Sequence, residues 1–112
     1  MAKLTNTGTF NNASFGQYGC IFTDSTTTAI VAPTGTVFVA ITMLSDTTFD
    51  ADGGLIAENS SLYANTEAAA SASGSGGVQI AAGDTFPKGV TIYGRWTEID
   101  LTGGSVIAYL GD

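Results

Sequence analysis

The chain has 112 residues, which suits one domain built around a single hydrophobic core. Ten acidic residues against three basic ones give a net charge of -7, which argues against nucleic acid or an anionic membrane as a partner. With no histidine and one cysteine, Cys20, the sequence lacks the commonest general base and zinc ligand and excludes an internal disulfide. We therefore expect no enzymatic activity, no catalytic residue and no cofactor.

The balance of apolar and charged residues points to a binding partner. Hydrophobic residues make up 44% of the chain and charged residues only 12%, although a small domain normally covers its large surface with charge. The N-terminus has no apolar run of signal-peptide length, and no stretch is long enough to span a membrane. We expect a protein made in the cytoplasm, without a membrane anchor, that buries part of its surface against a partner.

The first 16 residues are predicted to form an extended arm. They are mostly Thr, Asn, Gly, Ala and Ser, and the aromatic residues Phe10 and Phe15 interrupt this polar stretch. Two hypotheses remain open for these aromatic side chains: they pack back on their own domain, or they anchor the arm in a groove on a neighbouring protein.

Strand-forming residues begin at Tyr18. Short β-branched and aromatic runs separated by Asp24 and by Pro33 with Gly35 predict a meander of antiparallel strands. The run 37–44 is apolar at every position but one, which indicates a central strand covered on both sides by a second sheet or another subunit.

The middle of the chain is predicted to be loops. Asp50 and Asp52, followed by Gly53, resemble the start of a calcium-binding loop, but that register puts Ser61 where a bidentate Glu is required. They remain a weak metal-site candidate beside an ordinary turn. The Ala, Ser and Gly residues of 65–77 predict a flexible surface loop or, over 67–72, one or two helical turns.

The last third has the most regular strand pattern. A short strand is predicted over 78–80 and a long one over 90–99, in which Trp96 shares the apolar face with Val90 and Ile92. Tyr93 and Arg95 point to the opposite face. Gly103 and Gly104 predict a hairpin over 100–105 that leads into a final strand over 105–110.

These elements predict an all-β fold. The expected architecture is a compact antiparallel β-barrel or β-sandwich of about six to eight short strands, formed by residues 17–112 after the arm. The apolar central strand and the last two strands are the candidate subunit interface. Its predicted residues are Val37, Val39, Ile41, Tyr93, Arg95 and Tyr109.

The C-terminal third also resembles a known class of proteins. A loop with Pro87 and Gly89, then Ile92-Tyr93-Gly94-Arg95-Trp96 and a closing Val106-Ile107-Ala108-Tyr109, is similar to the ending of small virion proteins of tailed bacteriophages, particularly marine ones.

The resemblance implies a capsid decoration, or cement, protein. Such a protein is commonly a homotrimer on the outer surface of the head, bound to the major capsid protein and synthesised in the host cytoplasm. The resemblance does not extend to the arm; from the composition of the arm, we expect Phe10 and Phe15 to be the capsid-binding residues. The alternative is a receptor-binding or carbohydrate-binding module of a phage tail or fibre, in which Tyr93, Arg95 and the Asp50 loop face the ligand.

Overall fold

The computed structural model describes residues 18–67 and 77–112, and this part of the chain is all-β, with eight strands and no helix. The prediction of six to eight short strands is confirmed. The arm over 1–16 and most of the loop over 65–77, with its possible helical turns, lie outside the described residues. The strands are β1 (Cys20–Thr23), β2 (Ile30–Val31), β3 (Val37–Met43), β4 (Thr48–Phe49), β5 (Leu55–Ala57), β6 (Thr91–Ile99), β7 (Leu101–Gly103) and β8 (Val106–Gly111).

Six of these strands form one antiparallel, nearly closed, barrel-like sheet. Its order is β1-β8-β3-β6-β2, and β5 pairs with β6 as well. Strands β4 and β7 form a separate two-stranded sheet. The apolar run over 37–44 is central, as predicted, because β3 pairs with β8 on one side and with β6 on the other.

Two predicted connections are wrong. The first three strands form no meander, since β1 pairs with β8, while β2 and β3 pair with successive parts of β6. Residues 100–105 form no β6–β8 hairpin, because β3 lies between those two strands. The connection instead buries Leu101 completely and pairs β7 with β4, so burial of that leucine overrides the local turn signal of Gly103 and Gly104.

The segment 78–80 is also not a strand. Val78 is 80% exposed, and Ile80 is held by one backbone hydrogen bond, from its N–H to the carbonyl of Asn65 (2.9 Å). A short apolar run does not by itself determine a strand, because its residues do not show whether a neighbouring strand will pair with it.

The core lies on one side of the sheet. Side chains of β3, β6 and β8 pack there against residues from the two-stranded sheet and from β5. Phe49 of β4 meets Phe86 edge to face, with ring centroids 5.2 Å apart. The buried residues of this cluster are Phe38, Ile41, Met43, Phe49, Leu55, Trp96, Ile99, Leu101, Val106, Ala108 and Leu110.

Trp96 belongs to this core, as predicted, and a glycine makes room for it. A Cβ at Gly94 would lie 2.7 Å from the Trp96 ring, so the ring occupies the space above that glycine. The indole Nε1–H donates to the carbonyl of Ala64 (2.8 Å), which satisfies the one polar group of a side chain that is 2% exposed. The loop after β5 is thereby fixed over the core.

Candidate functional site

The candidate site is the sheet face opposite the core. Directly opposed residues of antiparallel strands point to the same side, so the register shows which side chains share this surface. We call it the outer face and define it by two rows that cross β1, β8, β3 and β6 in that order. One row is Cys20, Tyr109, Ala40 and Tyr93; the other is Phe22, Ile107, Thr42 and Thr91.

The outer face carries two of the most exposed aromatic side chains in the described structure. Tyr93 is 76% exposed and Phe22 57%, and they stand at opposite borders of the face. Between them Tyr109 and Ile107 are half-buried and Ala40 is buried. Exposed aromatic side chains at two borders of one sheet face, with partly buried apolar residues between them, make this face the candidate binding surface of the described structure.

A polar pair interrupts the apolar surface. The hydroxyls of Thr42 and Thr91 are directly opposite one another on β3 and β6 and form a hydrogen bond of 2.8 Å. Each hydroxyl therefore has a hydrogen-bond partner within the protein. A ligand that covers this pair would not remove that hydrogen bond.

Arg95 forms the border of the outer face near the C-terminus. Its Nε donates to Glu58 Oε1 (2.6 Å) and its Nη2 to Glu58 Oε2 (3.1 Å), while Nη1 donates to the carbonyl of Asp112 (3.0 Å). The hydrogen bond from Arg95 lowers the pKa of Glu58, and that same bond raises the pKa of Arg95. The Arg95 guanidinium thus makes three hydrogen bonds, and the Glu58 carboxylate balances its positive charge.

The structure separates the predicted interface residues into two groups. Tyr93 and Tyr109 lie on the outer face, and Val39 lies beside it, over Gly111, whose Cβ would come within 2.6 Å of the valine. Val37 and Ile41 are 6% and 0% exposed. Their own chain covers both side chains, so they are not available for contact with a neighbouring subunit. Val37 and Ile41 are core residues, and the prediction that they lie at an interface is corrected.

Cys20, Phe22 and Ile107 were not predicted as site residues. The alternation of Cys20 and Phe22 with Ile21 and Thr23 marks β1 as a strand, but the sequence does not show which face is outward. That depends on pairing β1 with β8, more than 80 residues away along the chain. The arm residues Phe10 and Phe15 lie outside the described residues.

The two aspartates of the loop after β4 lie in different surroundings. Asp52 is exposed, whereas the Asp50 N–H donates to the carbonyl of Asp100 (3.0 Å). Burial, then hydrogen bonding and repulsion with the Asp50 carboxyl, raises the pKa of Asp100, and Glu98 adds to the repulsion. Within residues 18–67 and 77–112, no group of three or more acidic or sulfur side chains is placed to hold a metal ion.

Comparison of the chain with known protein families, curated proteins and solved structures gave no match. In the part of the chain that the structure describes, no helix has the length and apolar character needed to cross a membrane. The geometry of the outer face is therefore the basis for the functional argument.

Proposed function

We propose that this protein is a structural virion protein of a tailed bacteriophage, a capsid decoration protein that binds the outer surface of the head. It acts by adhesion. Because it binds the mature lattice and no other state, it stabilises that state by mass action against the pressure of packaged DNA. Its partners are the major capsid protein and two further copies of itself in a homotrimer.

The outer face is the observation that supports this proposal. Tyr93 and Phe22 expose most of their surface on a sheet whose other side already supplies the core, so the fold does not need them there. Tyr is also enriched at the centres of protein interfaces. We assign the contact between subunits to Val39, Tyr93, Arg95 and Tyr109.

The contact with the capsid is assigned to the arm. Phe10 and Phe15 would insert into a groove of the major capsid protein, the mode by which an extended segment adds apolar anchors to a partner surface. The net negative charge of the chain keeps the free protein soluble.

Light scattering and cosedimentation with empty mature capsids test the proposal. We expect the mass of a trimer and saturable binding to capsids. Replacing both arm aromatics, Phe10→Ser with Phe15→Ser, should abolish capsid binding without unfolding the domain. The matched control is Val78→Ser, which removes an exposed apolar side chain outside the outer face. Undiminished binding by the double variant, or a wild-type protein that ignores capsids, would refute the proposal.

Carbohydrate or receptor binding at a phage tail or fibre is the second candidate. Tyr93 favours it, because an aromatic ring that is 76% exposed next to a fixed arginine can stack on a sugar ring. A glycan array probed with the whole protein tests this function. Binding that disappears in Tyr93→Ala and persists in Val78→Ala would favour it over decoration.

A further inference from the structure

We infer that copies of this chain pair head to tail at their sheet edges, with β1 of one copy antiparallel to residues 91–94 of the next copy's β6. Such pairing rests on the proposed homotrimer and specifies how its subunits meet. The sheet topology, the residues at the two edges and the directions of the strands support it.

The sheet has two open edges in the part of the chain that the structure describes. Strand β1 pairs with β8 alone, so one side of it is open. Trp96 of β6 pairs with Phe38 of β3 and with Ala57 of β5, so these strands flank β6 on opposite sides. Because β5 reaches no further than Trp96, residues 91–94 have a strand on the β3 side only. We call residues 20–23 the β1 edge and residues 91–94 the β6 edge.

The two edges match in length and lack the features that normally prevent edge pairing. Both are four residues long. Natural proteins protect such edges with charged residues, proline or very short strands. The β1 edge reads Cys-Ile-Phe-Thr and the β6 edge Thr-Ile-Tyr-Gly, with no charge and no proline. By contrast, β2 at the end of the strand order has only two residues. The β1 and β6 edges are therefore the ones suited to accept another strand.

Edge pairing also accounts for the exposed aromatic side chains of the outer face. Phe22 stands on the β1 edge and is 57% exposed, and Tyr93 stands on the β6 edge and is 76% exposed. Joining the edges of two copies makes these rings cross-strand neighbours on one surface, and such aromatic pairs stabilise a sheet. Tyr109 pairs with Cys20, and Arg95 follows the β6 edge, so both also border the junction.

The strand directions make the junction antiparallel. Each neighbouring pair in the order β1, β8, β3 and β6 is antiparallel, so β1 and β6 run in opposite directions. A second copy in the same orientation, placed so that its β6 continues the sheet beyond β1, therefore pairs antiparallel with β1. The end of β1, followed by Asp24, then lies beside the beginning of β6, which follows Lys88. Both side chains are exposed, and their opposite charges favour the contact between two acidic copies.

Symmetry distinguishes this contact from pairing between two β1 edges. A contact between like edges uses one surface twice and ends at a dimer, whereas a contact between unlike edges repeats from copy to copy and can close a ring. Each copy offers its β1 edge to one neighbour and its β6 edge to the other. A trimer with equivalent subunits requires unlike surfaces of this kind.

Two lysine variants test the inference, because a lysine on an open edge opposes strand addition. Phe22→Lys blocks the β1 edge and leaves the β6 edge intact, whereas Tyr93→Lys does the reverse. By light scattering, each variant alone should lose the trimer and have the mass of a monomer. An equal mixture should form a heterodimer, since it restores one junction made of two intact edges. One junction lacks the gain from ring closure, so the mixture is measured at up to about 1 mM, the order of concentration that closure supplies.

The matched control is Val78→Lys, a lysine at an apolar residue that is 80% exposed and lies on neither edge. It should remain a trimer, like the wild type. Near-ultraviolet circular dichroism of Trp96 confirms that each variant is folded.

Three results would overturn the inference. A Tyr93→Lys protein that dimerises alone would show that β1 edges pair with each other. A mixture that stays monomeric, while the wild type forms trimers, would place the subunit contact elsewhere. A wild-type protein that is monomeric at every concentration would remove the trimer as well. Cosedimentation with capsids is measured separately, so failure of the edge contact and failure of decoration are distinguishable.

Discussion

The two sides of one sheet differ in what they do for the protein. On the inner side Phe38 and Ile41 are completely buried, whereas on the outer side, on the strands that flank β3 and β8, Tyr93 and Phe22 are largely exposed. The same strands supply both surfaces, because successive side chains alternate between them. The inner side therefore accounts for folding, and the outer side is available for contacts, so substitutions should separate stability from binding.

Truncation of a core aromatic on the inner side should have the largest effect on stability. Phe38 is completely buried and belongs to the core cluster, so Phe38→Ala should lower the free energy of unfolding by about 3–5 kcal/mol. Urea denaturation followed by circular dichroism measures the loss. The matched outer-face variant Phe22→Ala should change stability by about 0.5 kcal/mol or less. Similar losses for both variants would contradict the division between the two sides.

An added methyl group on the inner side should have the next largest effect. Gly94→Ala would place a Cβ 2.7 Å from the Trp96 ring and displace the indole from its hydrogen bond to Ala64, at a cost of about 1–3 kcal/mol. Tryptophan fluorescence during urea denaturation follows both the displacement and the stability. Gly83→Ala is the control, because its Cβ would meet no atom within 4 Å. An unchanged emission spectrum in Gly94→Ala would refute the role of this glycine.

A half-buried carboxyl should give a smaller effect that depends on pH. The pKa of Asp100 is raised in the folded protein by burial and then by Asp50 and Glu98, so the folded state binds a proton that the unfolded state has released. Its destabilising contribution is absent at low pH and grows as pH rises from the ordinary aspartate pKa to the raised one. Asp100→Asn should therefore increase stability at neutral pH and match the wild type more closely in acid.

The control for Asp100 is Asp24→Asn, an exposed carboxyl in the turn after β1. Thermal unfolding between about pH 3 and pH 8 gives the comparison, because this range begins near the ordinary aspartate pKa and extends well above it. A difference between Asp100→Asn and wild type that does not vary with pH would show that folding does not raise the pKa of Asp100.

Local sequence patterns predicted the parts of the fold that depend on neighbouring residues. The alternation over 91–99 placed Trp96 inside and Tyr93 outside, and the apolar run over 37–44 identified the central strand, all of which the structure confirms. Strand order was not predictable in this way, because the partner of each strand is chosen by burial of distant residues such as Leu101. Only part of the outer face could be predicted, for the same reason. Cys20 and Phe22 lie on one surface with Tyr109 only because β1 pairs with β8.

The most exposed residue of the outer face should affect stability least and binding most. Tyr93 is 76% exposed, so Tyr93→Ala should leave the free energy of unfolding within about 0.5 kcal/mol of the wild type. Under the proposed function it should also prevent trimer formation, which light scattering measures. Tyr63→Ala, a tyrosine outside the face, should leave the trimer intact. A Tyr93→Ala protein that unfolds easily would place this side chain among the folding contacts, and a stable trimer would remove it from the interface.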